Sequence, residues 1–164
     1  MKEFNILTPL LEVLEIDTNG CRHRDLEYCE FKIHAPLLVS LICSGVVAKD
    51  YVLMCSFLVL DYAEVSFTIS DDESGRWEQR ISHVIRKFVG ALSRVRQLSL
   101  SLSVSRTEAL SVADDFVSNL PTFQNLNKLN LCFGATKDIR IYALLGVAPN
   151  LECLVFSLES VQNF

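Results

Sequence analysis

The stretch Leu11-Glu12-Val13-Leu14-Glu15-Ile16-Asp17-Thr18-Asn19-Gly20-Cys21 holds a spacing that recurs along the chain. Leu11, Leu14, Ile16, Asn19 and Cys21 fill the five fixed positions of the pattern LxxLxLxxNx(L/C). Looser copies follow at Leu38, Leu41, Cys43; Leu60, Ala63, Val65; Val95, Leu98, Leu100; Leu126, Leu129, Leu131; and Leu151, Leu154, Phe156. The first positions of the six copies are 27, 22, 35, 31 and 25 residues apart, a mean of 28.

A repeat of this length with an LxL centre is the signature of leucine-rich repeats. Each LxL is a short strand whose alternate side chains turn inward, and the next rung's strand pairs beside it in parallel. One rung cannot bury its apolar face alone, so the rungs must share a core. The expected fold is therefore α/β, a leucine-rich repeat solenoid: a right-handed β/α superhelix with a parallel concave sheet and irregular convex helices. Leu14, Leu41, Leu98, Leu129 and Leu154 should line a common interior. Residues 1–164 read as a single leucine-rich repeat domain of about six rungs that lacks both terminal caps. Asn19 alone supplies the asparagine of the turn, where it can satisfy backbone groups. Later copies place Val46, Thr68, Ser103, Gly134 and Glu159 there.

Between the fourth and third LxL, Ile81, Val84, Ile85, Phe88, Val89 and Leu92 fall at offsets 0, 3, 4, 7, 8 and 11, which predicts an amphipathic helix over about Arg76 to Ser93. A second helix is expected from a capping box at Ser105 and Glu108 to Pro121, and a third, shorter one after Thr136. In the N-terminal half, Phe31-Lys32-Ile33 and Tyr51-Val52-Leu53 read as short extended segments in small hairpin-like pieces. Ser70 to Gly75 is the most loop-like segment.

Half of the residues are apolar and 21% are charged, so a chain of 164 residues can bury a sizeable core and is not disordered. Fifteen Lys and Arg against 20 Asp and Glu give a net charge of −5, and no overall positive field gathers nucleic acid or anionic lipid. No apolar run reaches the roughly 20 residues that span a bilayer, and the N-terminus lacks a signal-peptide cleavage site. The expected location is intracellular, cytoplasmic or nuclear. The six cysteines, at 21, 29, 43, 55, 132 and 153, include no CxxC pair and sit mostly in apolar runs, as buried reduced thiols do.

Side chains between the inward positions face the concave side, where such solenoids take up partners. The leading candidates are Glu15, Asp17, Tyr62, Glu64, Gln97, Ser99, Lys128 and Asn130, with Tyr62 beside Glu64 as the best anchor because a tyrosine combines contact area with a polar tip. On the first helix Arg76, Arg80 and Lys87 form a basic stripe opposite the apolar one. It is either a dock for an acidic partner or a solvated face balanced by Asp71, Asp72 and Glu73. His23-Arg24-Asp25-Leu26 matches the opening of a kinase catalytic loop, but Glu30 stands where that loop needs asparagine and no glycine-rich phosphate loop accompanies it, so the match is chance. No GxSxG, GxxxxGK[ST] or HExxH occurs, and His23, His34 and His83 fall in different rungs. The residues assign no catalytic group, no cofactor and no metal.

The segments Phe31 to Leu38, Leu41 to Gly45, Ala63 to Phe67, Leu92 to Leu100, Leu120 to Leu126 and Ala148 to Phe156 resemble plant F-box/LRR proteins of the FBD class. The similarity covers most of the chain and concerns the repeat region, with neither the F-box nor the FBD module in view. It implies recognition of a protein to be ubiquitinated. Contact with a Skp-type adaptor follows only if an F-box lies outside this chain. The alternative is a truncated or degenerate repeat fragment with only a structural role and no specific partner.

Overall fold

The computed structural model describes residues 2–69, 75–104, 119–133 and 145–158. The order of elements is β1 (Lys2–Leu7), β2 (Val13–Thr18), α1 (His23–Leu26), β3 (Cys29–His34), β4 (Ser40–Val46), β5 (Asp50–Leu53), β6 (Tyr62–Ile69), α2 (Gly75–Ala91), β7 (Gln97–Val104), β8 (Lys128–Phe133) and β9 (Cys153–Leu158). The architecture is mixed α/β with two parallel sheets and little helix, and neither sheet closes into a barrel. Among the described residues no helix is long and apolar enough to cross a membrane.

All six LxL copies lie in one sheet, ordered β2-β4-β6-β7-β8-β9. Their registers align them without slippage: Leu14 faces Leu41, Leu41 faces Ala63, Ala63 faces Leu98, Leu98 faces Leu129 and Leu129 faces Leu154. A period of two side chains fixes this register, since a slip of one residue would turn every leucine outward. Leu41, Leu98 and Leu129 are buried and Leu14 packs partly against the core. Leu154 is the exception: on the edge strand β9 it is 42% exposed, with no strand beyond it among the described residues.

Neighbouring rungs are joined the same way at every step. The carbonyl of Glu12 accepts from the amides of Val39 and Ser40 at 2.8 and 3.0 Å. Val39, Asp61, Arg96 and Asn127 repeat the arrangement toward the next rung, each carbonyl taking two consecutive amides between 2.9 and 3.2 Å away. Both lone pairs of each carbonyl are thereby used where the chain enters a strand.

A second, smaller sheet accompanies the first. The hairpin-like reading of Phe31-Lys32-Ile33 and Tyr51-Val52-Leu53 is overturned: they belong to β3 and β5, which pair in parallel with each other and with β1, in the order β1-β3-β5. A whole strand of the larger sheet separates each of these strands from the next in sequence, and such crossovers give parallel pairing where a tight turn would have given antiparallel. Register places Phe4, Phe31 and Tyr51 side by side, and their rings stack at centroid distances of 5.1 and 5.5 Å. Phe88 of α2 continues the stack, 4.8 Å from Tyr51, with Phe67 of β6 at 5.8 Å. Helix α2 thus takes the place behind the larger sheet that a fourth strand would have filled.

Helix α2 follows its expected bounds closely, and Ile81, Val84, Ile85, Phe88, Val89 and Leu92 are all buried. Each contributes about 1.5 to 3 kcal/mol of burial. The helices expected at Ser105 to Pro121 and after Thr136, and the loop from Ser70, lie outside the described residues for all but their last positions. The His23-Arg24-Asp25-Leu26 stretch is the single turn α1.

The tightest backbone point lies between the first two rungs. Gly45, paired with Thr18, has φ +98°, a conformation that side chains disfavour. Thr18 is buried, and its Oγ1 lies 2.8 Å from both the Ser44 and the Val46 carbonyl.

Candidate functional site

The eight candidate residues of the larger sheet come together on its outward face. Register sorts them into three columns crossing the strands. Val13, Ser40, Tyr62, Gln97, Lys128 and Cys153 form the first, and Glu15, Ile42, Glu64, Ser99, Asn130 and Val155 the second. Asp17, Ser44, Ser66, Ser101, Cys132 and Ser157 form the third. Alternation along each strand puts these side chains opposite the core. The first three strands present Glu15, Asp17 and Glu64 with no cation, whereas β7, β8 and β9 present neutral residues apart from Lys128, so the face is acidic at one end and mostly neutral toward the other.

Three local networks hold it. The Tyr62 hydroxyl donates to Glu64 Oε2 at 2.6 Å. Its pKa is pushed up to about 12, by burial first and then by the hydrogen bond and charge of Glu64. At the acidic end Asp17 Oδ1 accepts from the Asn19 amide at 2.9 Å, from Asn19 Nδ2 at 2.7 Å and from Ser44 Oγ at 3.3 Å. The backbone donor of Asn19 is the main reason that the Asp17 carboxyl sits below its ordinary value. On β8, Asn130 Nδ2 donates to Ser99 Oγ at 3.3 Å, while its Oδ1 is buried with no partner among the described residues. A buried acceptor left empty has lost its hydration without replacement.

Asn19 does not play the expected part. Its side chain binds Asp17 and Ser44 side chains, not backbone groups. Bridging between rungs is done at the opposite end of the strands, where Asn125 Nδ2 donates to the Arg94 carbonyl at 3.2 Å and Asn150 Nδ2 to the Gln124 carbonyl at 2.8 Å. Neither asparagine falls on a fixed position of the repeat pattern, though each directly precedes the first leucine of its rung.

The basic stripe of α2 is largely spent on the chain itself. Lys87 binds Asp50 at 2.8 Å and Arg80 Nη2 reaches the Glu27 carbonyl at 3.4 Å. Arg76 belongs to α2, and its side chain lies outside the described set. Cys43 is buried deeply enough to raise its thiol pKa to about 12, and all six cysteines are free thiols, with Cys21 and Cys153 exposed. Among the described residues no three His, Cys, Asp or Glu side chains gather as a metal site would require. No family model, curated protein or solved structure matches this chain.

Proposed function

We propose that this chain is a leucine-rich repeat solenoid that binds a partner protein non-catalytically through the outward, concave face of its six-stranded sheet. The observation that carries the reading is the register that sets Glu15, Asp17, Tyr62, Glu64, Gln97, Ser99, Lys128 and Asn130 on one continuous surface. Tyr62, its hydroxyl already held by Glu64, loses little freedom when covered, and this is the economy that makes tyrosines binding anchors. By resemblance the partner is a protein selected for ubiquitination, and a Skp-type adaptor enters only with an F-box outside this chain. A two-hybrid screen with the intact chain tests this. True partners should be lost on Tyr62→Ser or Glu64→Lys and kept on Glu3→Gln, which lies on the other sheet. A screen in which no interaction depends on Tyr62 or Glu64 rejects the reading.

A second reading is favoured by the exposed apolar side chains at both ends of the sheets, Phe4 and Val13 at one and Leu154 and Phe156 at the other. In it the chain is a repeat fragment with a structural role and no specific partner. Concentration-dependent association in sedimentation, together with the absence of any Tyr62-dependent partner, would favour it.

A further inference from the structure

The turns that lead into the strands of the larger sheet repeat one bond, from the amide at the first leucine position to the carbonyl three residues back, on every rung but the third, where the Leu58 amide donates to the Ser56 carbonyl instead. The residue before the first leucine position of each rung is, in order, Leu10, Leu37, Val59, Arg94, Asn125 and Asn150. This lip is apolar over three rungs and polar over the next three. Leu10 is 80% exposed, Leu37 45% and Val59 48%, next to Leu58 at 66%. Single exposed leucines are ordinary, but a row repeated in register on consecutive rungs is an apolar strip. From Leu58 and Val59 the strip opens into a groove of about 480 Å³ that runs past Arg94 and Arg96 to Asn125, Asn127 and Asn150. That size suits a narrow ligand.

The chemistry of the groove identifies an occupant. Arg96 is met by Asp61 at 3.6 Å, whereas the exposed Arg94 guanidinium has no partner among the described residues. Asparagine amides carry both donor and acceptor, as a peptide group does. Asp61 in the same lining is engaged by Arg96, and Glu152 stands two rungs beyond Arg94, so a single carboxylate can reach Arg94 whereas a broad anionic lipid surface would also meet both acids. We propose that an extended segment of another protein lies along this lip, across the rungs, with apolar side chains on Leu10, Leu37 and Val59 and a carboxylate on Arg94. Rungs are about 4.8 Å apart, so the three steps from Leu10 to Arg94 cover about 14 Å, or about four extended residues at 3.3 Å each. Apolar side chains at positions i and i+2, about 6.6 Å apart, lie across the three residues Leu10, Leu37 and Val59, and an acid at i+4, about 13 Å from the first, reaches Arg94. This surface is distinct from the outward face of the sheet, and its test is independent of Tyr62.

Amide-resolved NMR titration of the intact chain with Ac-Leu-Ser-Leu-Ser-Glu-NH2, and with the same peptide ending in Gln, decides the matter. The acidic peptide should shift the amides of Leu10, Leu37, Val59 and Arg94 and bind about fivefold more tightly than the Gln peptide. Arg94→Gln should erase that difference, and Val59→Ser should weaken both peptides, each exposed variant keeping the parent's spectrum elsewhere. Shifts away from the lip, no shifts, or equal affinity for the two peptides would overturn the proposal. So would Arg94-dependent adsorption to phosphatidylserine vesicles without a response to either peptide.

Discussion

Alanine at Gly45 should break the junction between the first two rungs. A Cβ built there meets the Asn19 nitrogen at 2.4 Å, the Thr18 carbonyl carbon at 2.5 Å and Thr18 Oγ1 at 2.7 Å. Two of these three atoms are backbone, so no rotamer change relieves the overlap. The left-handed backbone costs an L-residue about 1 to 2 kcal/mol. Relieving the overlap by separating β2 from β4 sacrifices the Thr18 hydroxyl's one donated hydrogen bond, shared between the Ser44 and Val46 carbonyls and contributing about 0.5 to 1.5 kcal/mol, together with packing around Ile16. The expected loss is about 3 to 5 kcal/mol, a large share of the about 5 to 15 kcal/mol that holds a typical domain. With a urea slope of about 2 to 3 kcal/mol per molar, the unfolding midpoint should fall by about 1.5 M. Circular dichroism across a urea series measures it, with Gly20→Ala as the control, since a Cβ at Gly20 has nothing within 4 Å. If Gly45→Ala unfolds within about 0.5 kcal/mol of the parent while Gly20→Ala does the same, the close approach of β2 and β4 at this point is wrong.

Phe88→Ala removes the ring that joins α2 to the stack of the smaller sheet and should cost about 3 to 5 kcal/mol in the same urea assay. Ultraviolet titration should find a tyrosine ionising near pH 12 that Glu64→Gln moves down toward, though not to, the ordinary value of 10, because burial remains. Its folded pKa lies above the unfolded one, so this stabilisation is complete below about pH 10 and disappears as pH rises through about 12. Brief alkylation followed by peptide mass spectrometry should modify Cys21 and Cys153 first and leave Cys29 and Cys43 unmodified until the chain unfolds. Early loss of the Cys43 thiol would contradict its place in the core.

The larger sheet could be read from the sequence because two constraints act on the same residues: alternation along a strand and repetition between rungs. Leu98-x-Leu100 and Leu129-x-Leu131 satisfy both. Helix α2 was legible for a similar reason, its six apolar residues being fixed by one period. The smaller sheet escaped because its strands are short, four residues in β5, and β1 mixes Lys2, Glu3 and Asn5 with its apolar residues. A recurring aromatic-x-aliphatic triplet, Phe4-x-Ile6, Phe31-x-Ile33 and Tyr51-x-Leu53, was nevertheless present and marks the stacked rings. The outward residues of the candidate face followed from alternation alone. The lip did not, since Leu10, Leu37 and Val59 sit in turns, where no period applies until the rungs are aligned. Nor could the sequence say that Lys87 is occupied by Asp50, a residue 37 positions away.

Because one carbonyl receives two amides at each of the five joints, the entry to every strand after β2 in the larger sheet is held by the same pair of backbone bonds whatever side chains stand there. A strand of the larger sheet, with the connection that follows it, could be excised or duplicated and two amides would still meet one carbonyl across the cut, with the mismatch confined to the layer behind. Such a molecule can change its length, and with it the reach of its surfaces, without inventing a new backbone connection.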